Sequence, residues 1–158
     1  MKNSLSYDDV LLVPQYSDIE SRSEIDLTTD MGNGLVLSLP IISSPMDTIS
    51  ESSMVSEMNR FGATGIIHRY NSIQEQCDLI KVINNKRNVG AAIGISGNSI
   101  ARAAAALDSG ATFLCVDVAH GHHIKMKKTL ETLRNEFADH VHLMAGNVAT
   151  LQGINDLS

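Results

Sequence analysis

Apolar positions along this chain alternate between two patterns. Short uninterrupted apolar runs predict strands that are buried on both faces, and the stretches after them repeat apolar residues at helical spacing. The clearest run covers residues 113–116, and the stripe behind it is Met126, Leu130, Leu133 and Phe137. Spacings of four, three and four place these side chains on one helical face. The pattern therefore predicts a strand followed by a helix.

Five such units are predicted in succession. Their strands start near residues 41, 64, 90, 113 and 142, and intervals of roughly two dozen residues each fit one strand and one crossover helix. Ser72 followed by Glu75 is typical of a capping box, whereas Gly62 and Gly110 are typical helix ends. Consecutive βα units predict a parallel sheet. Two closures stay open, a doubly wound open sheet or the first part of a (β/α)₈ barrel.

The first 39 residues show a different pattern. A short apolar piece ends at Pro14, and Asp30–Gly34 contains an Asn-Gly pair, which tolerates the positive φ of a hairpin turn. We therefore expect a lead-in of irregular and short β structure over 1–39 and a partial barrel over 40–158.

Composition narrows the class of protein. The 158 residues are 43% hydrophobic and 19% charged with a net charge of −6, which is ordinary for a soluble globular domain. The absence of a lysine and arginine run argues against nucleic-acid binding by a basic face. With no signal peptide and no membrane-spanning stretch, the expected location is cytoplasmic. Cys77 and Cys115 fall inside apolar patterns and are expected as buried reduced thiols rather than as a disulfide.

Polar side chains follow the first two predicted strands at their carboxyl ends, where parallel α/β folds place their chemistry. Ser43–Thr48 predicts either an N-cap cluster for the next helix or the floor of a ligand site, in which Met46 packs against a flat ring. His68 and Arg69 end the second strand. They are either loop residues satisfied by solvent, or the cation holds an anionic cofactor group.

The densest polar cluster follows the fourth strand. Its members are Asp117, His120, His122 and His123. Their spacing matches no zinc template, so we expect no metal, and a carboxylate here is better suited to accept hydrogen bonds from a ribose hydroxyl or an amide. After the fifth strand, Gly146 permits close backbone approach and Asn147 offers both a donor and an acceptor. Neither cysteine lies at a strand's carboxyl end beside a base, so no nucleophile is predicted.

Five segments resemble, in the same order, those of the IMP dehydrogenase and GMP reductase family of (β/α)₈ purine-nucleotide oxidoreductases. The segments are Tyr7–Pro14, Pro40–Thr48, Gly65–Arg69, Asp117–His122 and Ala145–Thr150. Each is weak alone, but together they are specific and cover nearly the whole chain. The resemblance implies an α/β fold made of the first five βα units of a (β/α)₈ TIM barrel, which is incomplete in this chain.

The resemblance also implies a substrate and a mechanism. In this family a cysteine thiolate adds to the purine C2, and the resulting covalent intermediate is shared by both enzymes. IMP dehydrogenase reaches it by passing hydride to NAD⁺ and then hydrolyses it to XMP. GMP reductase reaches it by expelling ammonia and then takes hydride from NADPH to give IMP.

Two groups of residues match ligand-binding positions of the family. The positions that would line the purine-nucleotide pocket are Ser44, Met46, Gly146 and Asn147. The positions that would meet the dinucleotide near its nicotinamide are Arg69, Asp117, Val118 and Ala119. Ser21 and Arg22 lie in a segment similar to the one with which GMP reductases reach the NADPH of a neighbouring subunit.

Several features favour GMP reductase. Ser21–Glu24 and Asp117–Ala119 are similar to the reductase forms, and the chain has no regulatory CBS pair between the second helix and the third strand. Ser43–Met46 is instead similar to the dehydrogenase. The expected cofactor is therefore NADPH, with NAD as the alternative. The expected partners are a purine nucleotide, GMP or IMP, and either further subunits of a homotetramer or a separately encoded C-terminal half.

The family's catalytic cysteine loop follows the sixth strand and would come after Ser158. Neither Cys77 nor Cys115 matches it, so the resemblance implies no catalytic residue in this chain and no activity of the chain alone. Three classes stay open. The chain is the N-terminal part of an enzyme whose remainder is lost or encoded separately, a non-catalytic partner of full-length tetramers, or a stand-alone nucleotide-binding module.

Overall fold

The computed structural model describes residues 5–84 and 86–158, so residues 1–4 of the predicted lead-in lie outside the described part. Its strands are β1 (Thr29–Asp30), β2 (Val36–Leu37), β3 (Ile42–Ser43), β4 (Thr64–Ile67), β5 (Val89–Ile93), β6 (Phe113–Asp117) and β7 (His142–Gly146). Its α-helices are α1 (Ser52–Arg60), α2 (Ile73–Lys81), α3 (Ser99–Asp108), α4 (Ile124–Phe137) and α5 (Leu151–Leu157). Short 3₁₀ turns cover Tyr7–Asp9, Arg22–Glu24 and Ala138–His140. The predicted alternation of strands and helices is confirmed.

The main sheet is parallel, curled and sequential, with the order β3-β4-β5-β6-β7. One apolar cluster joins the sheet to the helices. It contains Val55 of α1, Ile80 of α2, Ala106 of α3 and Leu133 of α4. A doubly wound sheet carries helices on both faces, whereas here four consecutive helices share one face. The structure is therefore consistent with part of a (β/α)₈ barrel.

The opposite face of the sheet forms a second, smaller apolar cluster. Ile66, Ala92, Phe113 and Cys115 contribute to it from β4, β5 and β6. Side chains alternate along a strand, so these residues point away from the helices, toward what would be the interior of the barrel. Two leucines of the lead-in, Leu35 and Leu37, pack into the same cluster. The β1–β2 hairpin thus covers the interior side of the sheet.

The turn and capping residues predicted at the ends of the elements are confirmed. Asn33 adopts a φ of 47° between the antiparallel strands β1 and β2, as the hairpin prediction required. Ser72 and Glu75 form the predicted capping box at the start of α2. Gly62 and Gly110, which follow α1 and α3, have φ values of 78° and 106°. Left-handed glycines of this kind are the usual way in which a helix ends.

Both cysteines are buried and neither forms a disulfide, as predicted. Cys77 donates a hydrogen bond from Sγ to the carbonyl of Ala105 at 3.3 Å, and Cys115 lies in the interior cluster. The segment before the hairpin, residues 5–28, is exposed throughout. Within the described ranges, no helix combines the length and the apolarity that crossing a bilayer would require.

Candidate functional site

The carboxyl ends of the parallel strands bring several of the predicted residues to one rim. Asp117 ends β6, Gly146 ends β7, and these two residues are paired in the ladder. Arg69 follows β4 and reaches the β6 end, where its Nη2 donates to the carbonyl of Asp117 at 3.2 Å. Arg69 and Asp117 are therefore neighbours although they are 48 positions apart in the chain. Val118 and Asn147 are also neighbours, and they are 29 positions apart.

Asp117 lies on the interior side of this rim. It is two residues beyond Cys115, so its side chain continues the interior row of β6. It is partly exposed, and a Cβ built on the adjacent Gly146 would meet no atom within 4 Å. Open space thus adjoins a carboxylate that can accept two hydrogen bonds.

The chemistry of Cys115 is set by the same neighbourhood. Burial raises the pKa of the Cys115 thiol to about 12, and the negative charge of Asp117 adds to the shift. The thiolate is the nucleophilic form of cysteine, and it is therefore scarce at neutral pH. In the described structure Cys115 is a poor nucleophile at neutral pH, and the expectation that the chain carries no catalytic residue stays a prediction.

The loops after β6 and β7 are joined by backbone hydrogen bonds. The Val118 N–H donates to the Gly146 carbonyl at 2.9 Å, and the Asn147 N–H returns to the Val118 carbonyl at 2.8 Å. The Asn147 side-chain amide donates to the same carbonyl at 3.1 Å. Gly121 donates to the Asn147 carbonyl at 2.7 Å, and a Cβ on Gly121 would lie 2.8 Å from that oxygen. Only glycine permits this approach, which holds the Asn147 loop against the β6 end.

Arg69 turns to the helix side of the rim. A cavity of about 360 Å³ lies there, and its wall includes Arg69, Val118, Gly94 and Arg102. The Nε of Arg69 is buried and has no hydrogen-bond partner in the described part of the chain. A Cβ on Gly94 would lie 3.4 Å from Nη1 of Arg69, so the glycine leaves room beside the guanidinium. Both observations fit a site that accepts an anionic group of a cofactor.

Two polar residues that position this rim were not predicted. The side-chain amide of Gln76, which is buried on α2, donates to the carbonyls of His68 and Ala92 at 3.0 and 2.9 Å. Arg102 on α3 donates to the Gln76 Oε1 at 3.0 Å and to the Asn71 carbonyl at 2.7 Å. Gln76 carried a usable signal, because it stands beside Cys77 on the apolar stripe of α2 and a buried amide needs partners.

The first strand contributes a separate part of the rim. Ser44 and Met46 follow β3 and are exposed. The predicted N-cap role of this segment is wrong, because the N-cap residue of α1 is Glu51. The Ser43 hydroxyl instead accepts a hydrogen bond from Ser50 at 2.8 Å. The ligand-floor interpretation therefore stays as the open prediction for Ser44 and Met46.

Three other predicted site residues take no part in the hydrogen bonds found for the rim of β6 and β7. Ala119 follows Val118 and is exposed. Ser21 and Arg22 lie in the exposed lead-in, where the Ser21 hydroxyl lies 2.8 Å from that of Ser23. Among the described residues, the hydrogen bonds found for this turn stay within positions 21–25.

Three of the six histidines have structural partners. His68 is buried, which excludes the prediction that solvent satisfies it, and its Nε2 lies 3.4 Å from Glu51. The Nε2 of His122 lies 2.8 Å from Asp156, which ties the β6 loop to α5, and His123 caps α4. In residues 5–84 and 86–158 no group of three potential ligands is arranged to hold a metal ion. A larger cavity of about 760 Å³, between α4, α5 and the outer face of β7, contains none of the predicted site residues.

The family model of the IMP dehydrogenase / GMP reductase domain matches residues 4–158. The chain belongs to this family. The fold and the order of the strand-end motifs agree with that membership.

Curated relatives carry the names of both enzymes. An inosine-5'-monophosphate dehydrogenase of Nitrosopumilus maritimus is 51% identical over 87 residues, which are 55% of this chain and 18% of the relative. A GMP reductase of Leishmania donovani is 38% identical over 88 residues, which are 56% of this chain and 18% of the relative. An inosine-5'-monophosphate dehydrogenase of Cryptosporidium parvum is 27% identical over 197 residues, covering 97% of this chain and 48% of the relative. This family member thus spans about half or less of the length of these relatives.

Proposed function

We propose that this chain forms the part of an NAD(P)-dependent purine-nucleotide oxidoreductase that binds the purine and the nicotinamide end of the dinucleotide. The observation that carries the proposal is the joined rim of β6 and β7. There Asp117, Val118 and Asn147, to which the resemblance assigns ligand binding, are held together by backbone hydrogen bonds.

The proposed roles follow from chemistry at the rim. The carboxylate of Asp117 accepts hydrogen bonds from a carboxamide or ribose hydroxyl, and Arg69 attracts the negative charge of the dinucleotide. The purine lies between Met46 and Ser44 on one side and Gly146 and Asn147 on the other. Ser21 and Arg22 serve the dinucleotide site of a neighbouring subunit in a homotetramer.

The reaction favoured is that of GMP reductase, which converts GMP and NADPH to IMP, ammonia and NADP⁺. The Asp117–Ala119 sequence and the Ser21–Glu24 segment support it, as does the direct connection from α2 to β5. The bound dinucleotide supplies the hydride, and the chain's own residues orient the two ligands.

IMP dehydrogenase is the second candidate. Ser43–Met46 is similar to the dehydrogenase form, and the relative from Nitrosopumilus maritimus is named as a dehydrogenase. In that case the substrates are IMP and NAD⁺, and the product is XMP.

The cysteines of the chain lead us to propose that residues 1–158 catalyse neither reaction alone. Cys77 is buried and its thiol is engaged by a carbonyl of α3. Burial raises the pKa of Cys115 to about 12. Turnover then needs a further polypeptide segment that supplies the nucleophile.

The test is to express residues 1–158 alone and together with the C-terminal half of a family relative. NADPH oxidation is measured with GMP, and NAD⁺ reduction is measured with IMP. We expect activity only when both halves are present, with the GMP and NADPH pair responding. A response of the IMP and NAD⁺ pair instead would establish the second candidate.

Binding measurements keep the proposal testable if the halves do not assemble. Calorimetry of the chain alone is expected to show saturable binding of NADPH, weakened in Asp117→Asn. Asp139→Asn, at an exposed aspartate outside the rim, is the matched control. Activity of the short chain alone would contradict the assignment of the cysteines, and absence of any nucleotide binding would contradict the proposed function.

A further inference from the structure

The 360 Å³ cavity on the helix side of the rim has an unusual balance of charge. Two guanidinium groups, those of Arg69 and Arg102, belong to its wall together with Ser96, Asn98 and Ser99. None of the described residues that line the cavity carries a carboxylate. Within the described part of the chain neither arginine forms a salt bridge. Two positive charges thus face one small polar cavity without a counter-charge.

The two guanidinium groups are close enough to affect each other. Burial lowers the pKa of Arg102, and repulsion from Arg69 lowers it further. Arg102 is engaged by Asn71 and Gln76, whereas the hydrogen bond found for Arg69 uses only Nη2. Arg69 therefore has donors to spare, and its buried Nε has no partner among the described residues. Leaving a buried N–H group without an acceptor costs free energy. An anion bound beside Arg69 would let the side chain turn so that this N–H group donates a hydrogen bond, and the cost would be removed.

The loop that follows β5 adds backbone donors to the same cavity. Gly94, Ser96 and Asn98 line it, and Ser99 begins α3, a helix of ten residues. The side chain of Asn98, the N-cap residue, makes no capping hydrogen bond, so the first-turn N–H groups of α3 have no side-chain acceptor in residues 5–84 and 86–158. These N–H groups and the positive end of the helix dipole favour a phosphate oxygen. They point to the same ligand as the two arginines do, on independent grounds.

We propose that the cavity between Arg69, Arg102 and the start of α3 binds a phosphate group, and that within the function proposed above this group belongs to the dinucleotide. The position of Val118 links the two sites, because it lines the cavity and also pairs with the Gly146 and Asn147 backbone. The nicotinamide end of the dinucleotide then lies near Asp117 on the interior side of the rim, and one of its phosphate groups lies in the cavity on the helix side. The cavity volume of about 360 Å³ is large enough for one such group.

The test uses the ¹⁵N-labelled chain of 158 residues titrated with inorganic phosphate, with 5′-ADP and with NADPH at constant ionic strength. We expect saturable amide shifts at Ser96, Ser99 and Ile100 with all three, and tighter binding of NADPH than of inorganic phosphate. Arg69→Met removes one positive charge and one hydrogen bond to the phosphate. The affinity of this variant for inorganic phosphate is therefore expected to be lower than that of the wild type by about tenfold or more. Arg60→Met, which removes an exposed charge paired with Glu57, is the matched control and is expected to change affinity less than about twofold.

A second variant tests the cavity without changing charge. Gly94→Val fills the space beside Nη1 of Arg69 and is expected to abolish the phosphate-dependent shifts while the remaining spectrum stays that of the folded chain. Equal losses in Arg69→Met and Arg60→Met would overturn the proposal, because the binding would then be unspecific. Absence of saturable shifts with all three probes would also overturn it.

The outcomes separate this inference from the proposed function. Dinucleotide binding that is unaffected by Arg69→Met and Gly94→Val would refute the phosphate cavity and the role of Arg69, and it would leave the roles proposed for Asp117 and for the purine-binding residues standing. Phosphate and 5′-ADP binding at Ser96 and Ser99 without NADPH binding would support a phosphate cavity and refute both its link to the dinucleotide and the proposed function.

Discussion

Cys115 shows how its position in the sheet determines the chemistry of one residue. It lies on the interior row of β6, between Phe113 and Asp117, and both its burial and the carboxylate of Asp117 disfavour the thiolate. The pKa of the thiol is raised from 9.0 to about 12 as a result. Folding therefore keeps Cys115 protonated in a pH range where the unfolded chain loses that proton.

This shift predicts a loss of stability at alkaline pH. A group whose pKa is higher in the folded state stabilises fully below its unfolded value and loses that contribution as pH rises toward its folded value. Between pH 8 and pH 10.5 the ionisation of Cys115 in the unfolded chain should lower the free energy of unfolding by about 2 kcal/mol. We expect Cys115→Ala to reduce the decline in the free energy of unfolding over this interval by that amount, as measured by urea denaturation at both values.

The comparison is internal, because the packing cost of Cys115→Ala is present at both pH values and cancels. All other ionisable groups are shared by the two proteins, so their contributions cancel as well. Parallel declines in the variant and in the wild type would contradict the raised pKa. Such a result would also make Cys115 a candidate for a reactive thiol again.

At the scale of elements, Gly90 explains how β5 and β6 pack on their interior side. Gly90 is paired with Phe113 in the ladder, and the Phe113 ring occupies the space that a side chain at position 90 would fill. A Cβ there would lie 2.7 Å from Cε2 of Phe113 and 2.8 Å from Cγ1 of Ile66. The small residue on one strand thus accommodates the large residue on the next.

Gly90→Ala is accordingly expected to destabilise the chain by about 1 to 3 kcal/mol, because Phe113 and Ile66 are both fixed in the core. Gly146→Ala is the matched control, since its new Cβ meets nothing within 4 Å. We expect that control to stay within about 1 kcal/mol of the wild type. Thermal unfolding of both variants makes the measurement, and equal effects would contradict the role of the Phe113 ring.

The elements themselves were predictable from local signals. The capping box of Ser72 and Glu75 and the glycines after α1 and α3 act within a few residues, so the sequence alone reveals them. The pairing of Gly90 with Phe113 depends on a contact between residues 23 positions apart, and no local pattern announces it. Periodicity alone likewise left the choice between barrel and doubly wound sheet open. The resemblance implied the barrel, and the four helices on one face are consistent with it.

The site was predictable to a similar extent. Parallel strands end at one edge, which is why Asp117, Gly146 and Asn147 were expected together and are found together. Arg102 was missed because it lies on a helix, and its partner Asn71 is 31 positions away in the chain. The burial of His68 was missed for a related reason, since its side chain contacts Glu51, which is 17 positions away in the chain.

At the scale of the whole molecule, the lead-in divides into two parts with different contributions. Leu35 and Leu37 of the hairpin are buried against the interior side of the sheet. Residues 5–28 are exposed, and the side chains of Leu11 and Leu12 are 95% and 98% exposed. Contiguous exposed apolar side chains of this kind mark interaction sites or aggregation liabilities.

Deletion of residues 5–24 is therefore expected to change the free energy of unfolding of the monomer by less than about 0.5 kcal/mol, since this segment makes no buried contact in the described structure. Leu37→Ala is expected to cost about 2 to 5 kcal/mol, because it opens a cavity in the interior cluster. Urea denaturation of both variants tests the division. The deletion is also expected to increase solubility, because it removes exposed apolar surface.

Protein concentration separates the two explanations of a contrary result. If the deletion lowers stability equally at all concentrations, the segment packs against its own chain, and the division of the lead-in is wrong. If the loss appears only at high concentration, copies of the chain associate through the segment, because association makes stability depend on the concentration of protomers. That outcome would support the proposal that Ser21 and Arg22 act in a neighbouring subunit, since both lie within the deleted segment.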